Sequence, residues 1–248
     1  SAGGWHVQPG NPYPLGTVYD GHGVNVAVLS GTAENVQFCM FDEHGQESRI
    51  DLPGKTEACW HGYVRGVKPG QRYGFRAEGP WAPQQGQFCH PAKLLLDPCA
   101  RAVKGSVAWH EALFPCDPAW PDRDPNDEDT APYMPKGVIV DTRYDWEGDQ
   151  LPRVPLSESV IYETHVKGFT ALHPDITAAH RGTYSGLVHP ATVDYLKALG
   201  VTAVELLPVY QFIHRRELNE AGLRNYWGYD PVCFFAPHNE YGFHQESD

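Results

Sequence analysis

The sequence predicts a multidomain β plus α/β chain, in which an antiparallel β-sandwich is followed by a βαβ unit that opens a parallel sheet. Three observations support this. The first hundred residues carry short alternating apolar runs separated by turns, the last ninety or so carry a helical run between two apolar runs, and the middle is weakly periodic. We therefore predict an immunoglobulin-like sandwich over 1–100, an irregular connector over 101–156 and the start of an α/β domain over 157–248.

The sandwich is predicted from apolar residues that alternate with polar ones between positions 24 and 77. They occur in three groups: Val24, Val26 and Val28, then Val36, Phe38 and Met40, then Tyr73, Phe75 and Ala77. Alternation with a period of two places one face of each strand in a core. Turns are expected at Gly45 and at Pro69-Gly70, because glycine supplies a positive φ and proline presets the entry. A domain of about one hundred residues built this way has immunoglobulin-like proportions.

The connector over 101–156 is rich in proline and aspartate, and only 137–140 is predicted to form a short strand. Its acidic run over 122–129 begins with the oxygen ligands of a calcium loop, Asp122, Asp124 and Asn126. The sixth position holds Asp127 instead of glycine, and the twelfth holds Tyr133 instead of a bidentate glutamate. We therefore expect a solvated acidic loop and no metal.

The βαβ unit is predicted from three consecutive patterns. A compact apolar strand is expected over 160–166, a helix over 190–199 with Val193, Leu196 and Leu199 on one face, and a buried strand over 201–209. Pro190 suits the first helical position, and Gly200 suits the residue after the end. Strand, helix and strand in this order open a parallel sheet.

Composition limits the partners of the chain. With 31 acidic and 19 basic side chains the net charge is −12, which would repel phosphate backbones and anionic lipid. We predict no nucleic-acid partner. No apolar run approaches the about 18 residues of a membrane-spanning helix, so no membrane partner is expected either. The six cysteines show no C-x-x-C pair, which predicts reduced thiols and a cytoplasmic protein. The 13 histidines form no zinc motif, and we predict no cofactor.

Three segments of the second half resemble glycogen-debranching and isoamylase-type enzymes of the α-amylase superfamily. They are VIYETHVKGFT at 160–170, LKALGVTAVELLPV at 196–209, and NYWGYDP at 225–231 with FFAP at 234–237. Upstream, YGFR at 73–76, GPW at 79–81 and PAKLLLDP at 91–98 resemble the end of the early-set carbohydrate-binding module that precedes those barrels. Leu15-Gly16 and Asp20-Gly21 are similar to the opening of that module in bacterial glycogen-debranching enzymes.

The resemblance implies that the chain is the amino-terminal part of an enzyme that hydrolyses α-1,6 branch linkages in glycogen or limit dextrin. Such enzymes use two carboxyl groups about 5–5.5 Å apart, which in the family come from later strands of a (β/α)8 TIM barrel. That barrel needs about 250 residues, far more than follow Ser157. We therefore expect no catalytic residue in this chain and no activity from it alone. Glu163 and Glu205 match no catalytic position and are expected to orient neighbouring groups.

The same resemblance implies which residues contact glucan. Tyr229 corresponds to a tyrosine that stacks beneath the sugar whose bond is cleaved, while Trp227 and Asn225 either touch glucan or shape the loop. In the sandwich, Trp60 and Trp81 either form a glucan platform or have a structural packing role, since this module often packs on the barrel in debranching enzymes. Aromatic residues make up 12% of the chain, which suits both readings, since flat rings with polar edges fit sugar faces and also fill sheets.

Two alternatives stay open on the sequence. The chain could be a non-catalytic glucan-binding or scaffold protein that keeps Trp60, Trp81 and Tyr229. It could also be part of a sister enzyme such as isoamylase, pullulanase or a branching enzyme. In every case the expected partner is a branched α-glucan, and no oligomeric state is predicted.

Overall fold

The computed structural model describes residues 4–116 and 125–242. The chain divides into two compact units, one formed by Ser1–Arg143 with Val232–Ala236 and the other by Tyr144–Pro231 with Pro237–Asp248. Among the described residues, no helix is long and apolar enough to cross a membrane. The start of the calcium-like pattern, Asp122 and Asp124, lies outside the described residues.

The first unit contains two antiparallel sheets and a short hairpin. Its strands are β1 (Val7–Gln8), β2 (Gly16–Tyr19), β3 (Gly23–Leu29), β4 (Asn35–Phe41), β5 (Glu47–Asp51), β6 (Gly54–Thr56), β7 (Cys59–Arg65), β8 (Arg72–Glu78), β9 (Trp81–Ala82), β10 (Gln87–Phe88), β11 (Val103–Lys104) and β12 (Lys136–Val138). One sheet has the order β1-β7-β3-β2 with β6 also on β7, and the other has the order β11-β12-β8-β4-β5. Strands β9 and β10 pair with each other.

The predicted sandwich is confirmed by a core that both sheets fill. Val24 is the register partner of Val64 in the first sheet, and Phe38 is the partner of Phe75 in the second. All four are buried in one cluster. Phe38, Phe75 and Tyr73 have ring centroids 5.4–6.0 Å apart, within the range in which tilted aromatic pairs are favourable.

The first unit continues beyond residue 100, the predicted end of the sandwich. Strands β11 and β12 join the second sheet, and Gly137 allows β12 to pass close to Tyr73, whose ring atoms lie 2.8 Å from where a Cβ would stand. Arg76 is fully buried, and its guanidinium binds Glu47 at 2.6 and 2.9 Å and Asp129 at 2.8 Å. A buried cation requires such partners, so Asp129 ties the connector to the sandwich.

The second unit begins with the predicted parallel pair. Strand β13 (Ile161–Thr164) pairs in parallel with β14 (Ala203–Leu206), which confirms the predicted parallel pair. The prediction that the second strand is buried is wrong, because Ala203, Val204 and Glu205 are exposed. Between the two strands lie α1 (Val166–Thr170), α2 (Tyr184–Leu187) and α3 (Pro190–Ala198), and beyond them β15 (Tyr210–Phe212) and α4 (Arg216–Glu220). The last strand, β16 (Pro231–Pro237), supplies Val232–Ala236 to the first unit. Pro190 occupies the first turn of α3, and Gly200 after its end has a φ of 73°. Strand β13 is shorter than predicted, because His165 begins a helix.

Short 3-10 helices lie at Pro83–Gln85, Glu111–Leu113, Leu156–Glu158 and Asn239–Tyr241. The core of the second unit is small: Val166, Phe212 and Tyr241 are buried, and Leu206 and Val209 pack against them.

Candidate functional site

The carboxyl end of β13 is organised by His165, which is only 6% exposed. Its Nδ1 accepts hydrogen bonds from the backbone N–H groups of Lys167 and Gly168, both at 3.1 Å, and so caps α1. A neutral imidazole that accepts at Nδ1 carries its proton on Nε2. That Nε2–H points at the carbonyl oxygen of Tyr226, 2.6 Å away, with the hydroxyl of Tyr241 at 3.2 Å. The histidine therefore ties residue 226 to the end of β13.

Aromatic rings surround the same imidazole. Tyr226 stacks on it with centroids 4.1 Å apart and an interplanar angle of 7°. Trp227 and Tyr241 meet it edge to face at 6.2 and 5.7 Å. The hydroxyl of Tyr226 lies against Gly168, where a Cβ would collide with it. The loop thus docks on a glycine of α1, and a larger residue there would push Tyr226 away.

Asn225 holds the loop from inside. Its Oδ1 accepts from the N–H of Gly228 at 3.0 Å, and its Nδ2 donates to the carboxylate of Asp230 at 3.1 Å and to the carbonyl of Ile213 at 3.3 Å. Its backbone N–H donates to Nδ1 of His214 at 3.0 Å. Of the two predicted roles for Asn225, these contacts support shaping the loop.

Gly228 places the loop beside the end of β14. Its φ is 81°, a conformation that favours glycine, and a Cβ there would lie 2.7 Å from a ring atom of Phe212 and 3.1 Å from Cβ of Pro208. Pro208 follows β14 by two residues. The carboxyl ends of parallel strands are where α/β barrels place their functional loops.

Two aromatic side chains project from this loop. Tyr229 is 63% exposed and Trp227 is 57% exposed. The next residue, Asp230, binds the guanidinium of Arg215 through both carboxylate oxygens, at 2.9–3.2 Å. The backbone on either side of Tyr229 is therefore fixed while its ring stays free, although a role in substrate binding remains a prediction.

The two tryptophans of the sandwich differ. Trp60 is buried at 8% exposure, its Nε1 donates to the carbonyl of Ser30 at 3.2 Å, and Nζ of Lys55 lies 4.4 Å from its ring centroid. Of the two predicted roles for Trp60, burial of its ring in the core supports packing. Trp81 is half-buried and forms a cross-strand pair with Phe88, edge to face at 5.6 Å.

Glu163 and Glu205 are direct register partners on β13 and β14, and both are exposed. The orienting role predicted for them remains a prediction. Both residues stand within the strands, whereas the loop that carries Tyr229 lies beyond the strand ends.

A second histidine group lies behind the loop. His214, His238 and Glu240 bring their ligand atoms within 4.8 Å of one another. Because Nδ1 of His214 accepts from Asn225, its Nε2 carries the proton, which faces Glu240 at 2.9 Å. Arg224 also binds the Glu240 carboxylate. A protonated Nε2 and an arginine-bound carboxylate are poor metal ligands, so this donor set does not fit a metal.

His238 itself is almost fully buried at 2% exposure. It stacks on Phe212 with centroids 3.6 Å apart, and burial lowers the pKa of its imidazole to about 4. This side chain is therefore a neutral packing group at pH 7.

Sequence reasoning named Tyr229, Trp227 and Asn225 but missed the clamp formed by Tyr226 and Tyr241 around His165. The available signal was the position of His165 near the carboxyl end of the strand predicted over 160–166, where caps and functional groups collect. Its partners lie 61 and 76 residues further along the chain, which local patterns do not connect.

The amino-terminal module shows the class of protein to which the chain is related. Residues 14–100 match the family Carbohydrate-binding module 48 (Isoamylase N-terminal domain), which confirms the predicted early-set module. The chain as a whole is 50% identical over 230 residues to the glycogen debranching enzyme of Klebsiella pneumoniae (strain 342), covering 93% of this chain and 34% of that enzyme. The predicted resemblance to the amino-terminal part of a bacterial glycogen-debranching enzyme is thereby confirmed, and the chain spans about a third of that relative.

Solved structures share the fold. The catalytic module of the pneumococcal glycogen-degrading virulence factor SpuA superposes with a TM-score of 0.65 at 24% identity, covering 93% of this chain and 33% of that one. The pullulanase of Paenibacillus barengoltzii gives the same TM-score and identity, with 93% and 32% covered. At this level of identity the likeness concerns the fold alone.

Proposed function

We propose that this chain is the glucan-recognising amino-terminal part of a cytoplasmic glycoside hydrolase that cleaves α-1,6 branch linkages in glycogen or limit dextrin. The observation that supports it most strongly is the 50% identity to a glycogen debranching enzyme over 93% of the chain. The net charge of −12 is compatible with a neutral polysaccharide. Six cysteines without a secretory framework favour the cytoplasm.

In this proposal, β13, α3 and β14 form the first βαβ portion of a (β/α)8 barrel. Support comes from their parallel register and from the amylase-type enzymes whose fold resembles this one. The catalytic carboxylates would then come from later strands of the whole protein, so the chain by itself would not hydrolyse glucan.

The loop 225–230 is proposed to form part of the substrate site. A sugar stacked on Tyr229 would remove about 50–100 Å² of C–H surface from water, worth about 1–2 kcal/mol. Such a contact helps only if the ring is held in place before the substrate arrives. The bonds of Asn225, the Arg215–Asp230 ion pair and the His165 clamp supply that support.

The sandwich is proposed to contribute a second glucan contact through Trp81. Its half-buried ring packs edge to face on Phe88, which is 48% exposed, on the hairpin of β9 and β10. Carbohydrate-binding modules commonly use such rings, and the match of residues 14–100 to one of these families supports the assignment.

A chimera tests this function. The matching third of the Klebsiella pneumoniae enzyme is replaced by this chain, and release of linear oligosaccharides from β-limit dextrin is measured. We expect debranching by the chimera and none by the 248-residue chain alone. A folded chimera without activity, beside an active parent enzyme, would count against the proposal, as would substantial debranching by the chain itself.

A further inference from the structure

Two neighbouring aromatic side chains project from a turn that the proposed site does not use. Tyr144 is 72% exposed and Trp146 is 66% exposed, which makes Trp146 the most exposed tryptophan among the described residues. Their ring centroids lie 4.9 Å apart at an interplanar angle of 72°. The two exposed rings therefore pack edge to face. We call this pair, Tyr144 and Trp146, the wedge.

The backbone that carries this wedge is well defined. Asp149 N–H donates to the carbonyl of Trp146 at 2.7 Å, and the two residues between them, Glu147 and Gly148, have φ values of 49° and 80°. Two left-handed central residues are typical of a type I′ turn. The carboxylate of Asp145 accepts from the N–H of Glu147 at 2.9 Å and closes the turn from the other side. Trp146 therefore stands at the first position of a fixed turn.

The chemistry around the wedge indicates its ligand. Asp145, Glu147 and Asp149 are all exposed and supply carboxylate oxygens, which accept hydrogen bonds from hydroxyl groups and repel phosphates. Aromatic faces bind the C–H faces of a pyranose ring. A neutral sugar chain satisfies both requirements.

We propose that Tyr144 and Trp146 form a further binding site for a neutral α-glucan chain, built from residues other than the loop 225–230 and Trp81. This inference rests on the proposed function in one respect, because it takes the same polymer as ligand. It adds a contact within 144–149 that would hold a second stretch of the branched substrate.

Titration of the chain with maltoheptaose tests this, with affinity electrophoresis in glycogen gels as a second readout. We expect Trp146→Ala to weaken the affinity about five- to tenfold, as loss of one stacked ring predicts. Trp146→Phe, which keeps a ring, should recover part of the loss. Trp5→Ala is the matched control, since Trp5 is exposed at 38% but lies elsewhere in the chain. Its affinity should equal that of the wild type.

The outcomes separate this inference from the proposed function. If the wild type binds neither maltoheptaose nor glycogen, the proposed function fails together with the site. If the wild type binds and Trp146→Ala binds equally well, only this site is refuted. A melting temperature lowered by several degrees in Trp146→Ala would also refute it, because the ring would then be packed. If binding of glycogen or maltoheptaose to the wild type disappeared at 0.5 M salt, the interaction would be electrostatic. That result would refute a neutral ligand and indicate a cationic partner.

Discussion

The imidazole of His165 lies parallel to the ring of Tyr226, with centroids 4.1 Å apart, and its Nε2 faces the Tyr226 carbonyl at 2.6 Å. One side chain thus joins the end of β13 to the loop that carries Tyr229. Its other nitrogen caps α1. The conformation of the loop 225–230 is therefore stabilised by His165, a residue outside the loop.

Two substitutions of His165 should separate the roles of its two ring nitrogens. His165→Asn can still cap α1 through its side-chain oxygen but cannot reach Tyr226, whereas His165→Gln can place an amide near the Tyr226 carbonyl. Each should lower stability by about 1–3 kcal/mol, the cost of a lost buried hydrogen bond. Amide exchange in the loop 225–230 should rise more in His165→Asn. Equal protection of the loop in both variants would contradict the clamp.

Gly228→Ala should destabilise the second unit more than Gly222→Ala. Both glycines have a positive φ, 81° and 67°, so both substitutions carry the backbone strain of about 1 kcal/mol. Only at Gly228 would the new Cβ also meet Phe212 and Pro208, while nothing lies within 4 Å of the Cβ at Gly222. Urea unfolding of both variants measures the difference. Equal losses of unfolding free energy in the two variants would mean that the loop 225–230 does not pack against the end of β14.

His238 should make the protein acid-sensitive. Burial lowers its pKa from 6.5 to about 4, so the unfolded chain takes up this proton first as the pH falls. Stability is therefore fully present above pH 6.5 and falls by up to ~3 kcal/mol between pH 6.5 and 4. In His238→Phe, the free energy of unfolding should fall less between pH 6.5 and 4 than in the wild type. In His44→Gln, whose side chain is 79% exposed in the wild type, the pH dependence should stay unchanged. An identical pH profile in wild type and His238→Phe would contradict the assignment.

The second unit should be cleaved before the sandwich in limited proteolysis. In the part of the unit that the structure describes, the parallel sheet has two strands, and apolar side chains such as Ile161, Val188 and Val204 are exposed at 39–70%. Such a sheet has unpaired edges and little buried area to resist opening. We expect the first cuts within 144–231 and a persistent fragment that contains β1 to β8. Equal resistance of both units would show that the second unit is stable by itself.

The sequence predicted the elements whose signal is local. Alternation identified the sandwich strands, and Pro190 with Gly200 located α3. Strand β12 overlaps the short strand predicted over 137–140, where Gly137 pairs with Tyr73 of the sandwich. Strand β11 was not predicted, because it is only two residues long and pairs with β12. Burial of Trp60 could not be predicted from local sequence patterns either, since the sequence of a strand does not distinguish an exposed tryptophan from a buried one. The His165 clamp joins residues that are 61 and 76 positions apart in the chain, so local sequence patterns could not predict it.

The activity of Tyr229→Ala in the chimera tests the central claim most directly. The claim is that the loop 225–230 holds an exposed ring, 63% accessible, ready to position a glucan. We predict that kcat/KM on β-limit dextrin falls more than about tenfold while the melting temperature stays within a degree of the parent chimera, because a positioning ring acts on substrate and not on folding. Unchanged activity in a folded Tyr229→Ala chimera would contradict the claim.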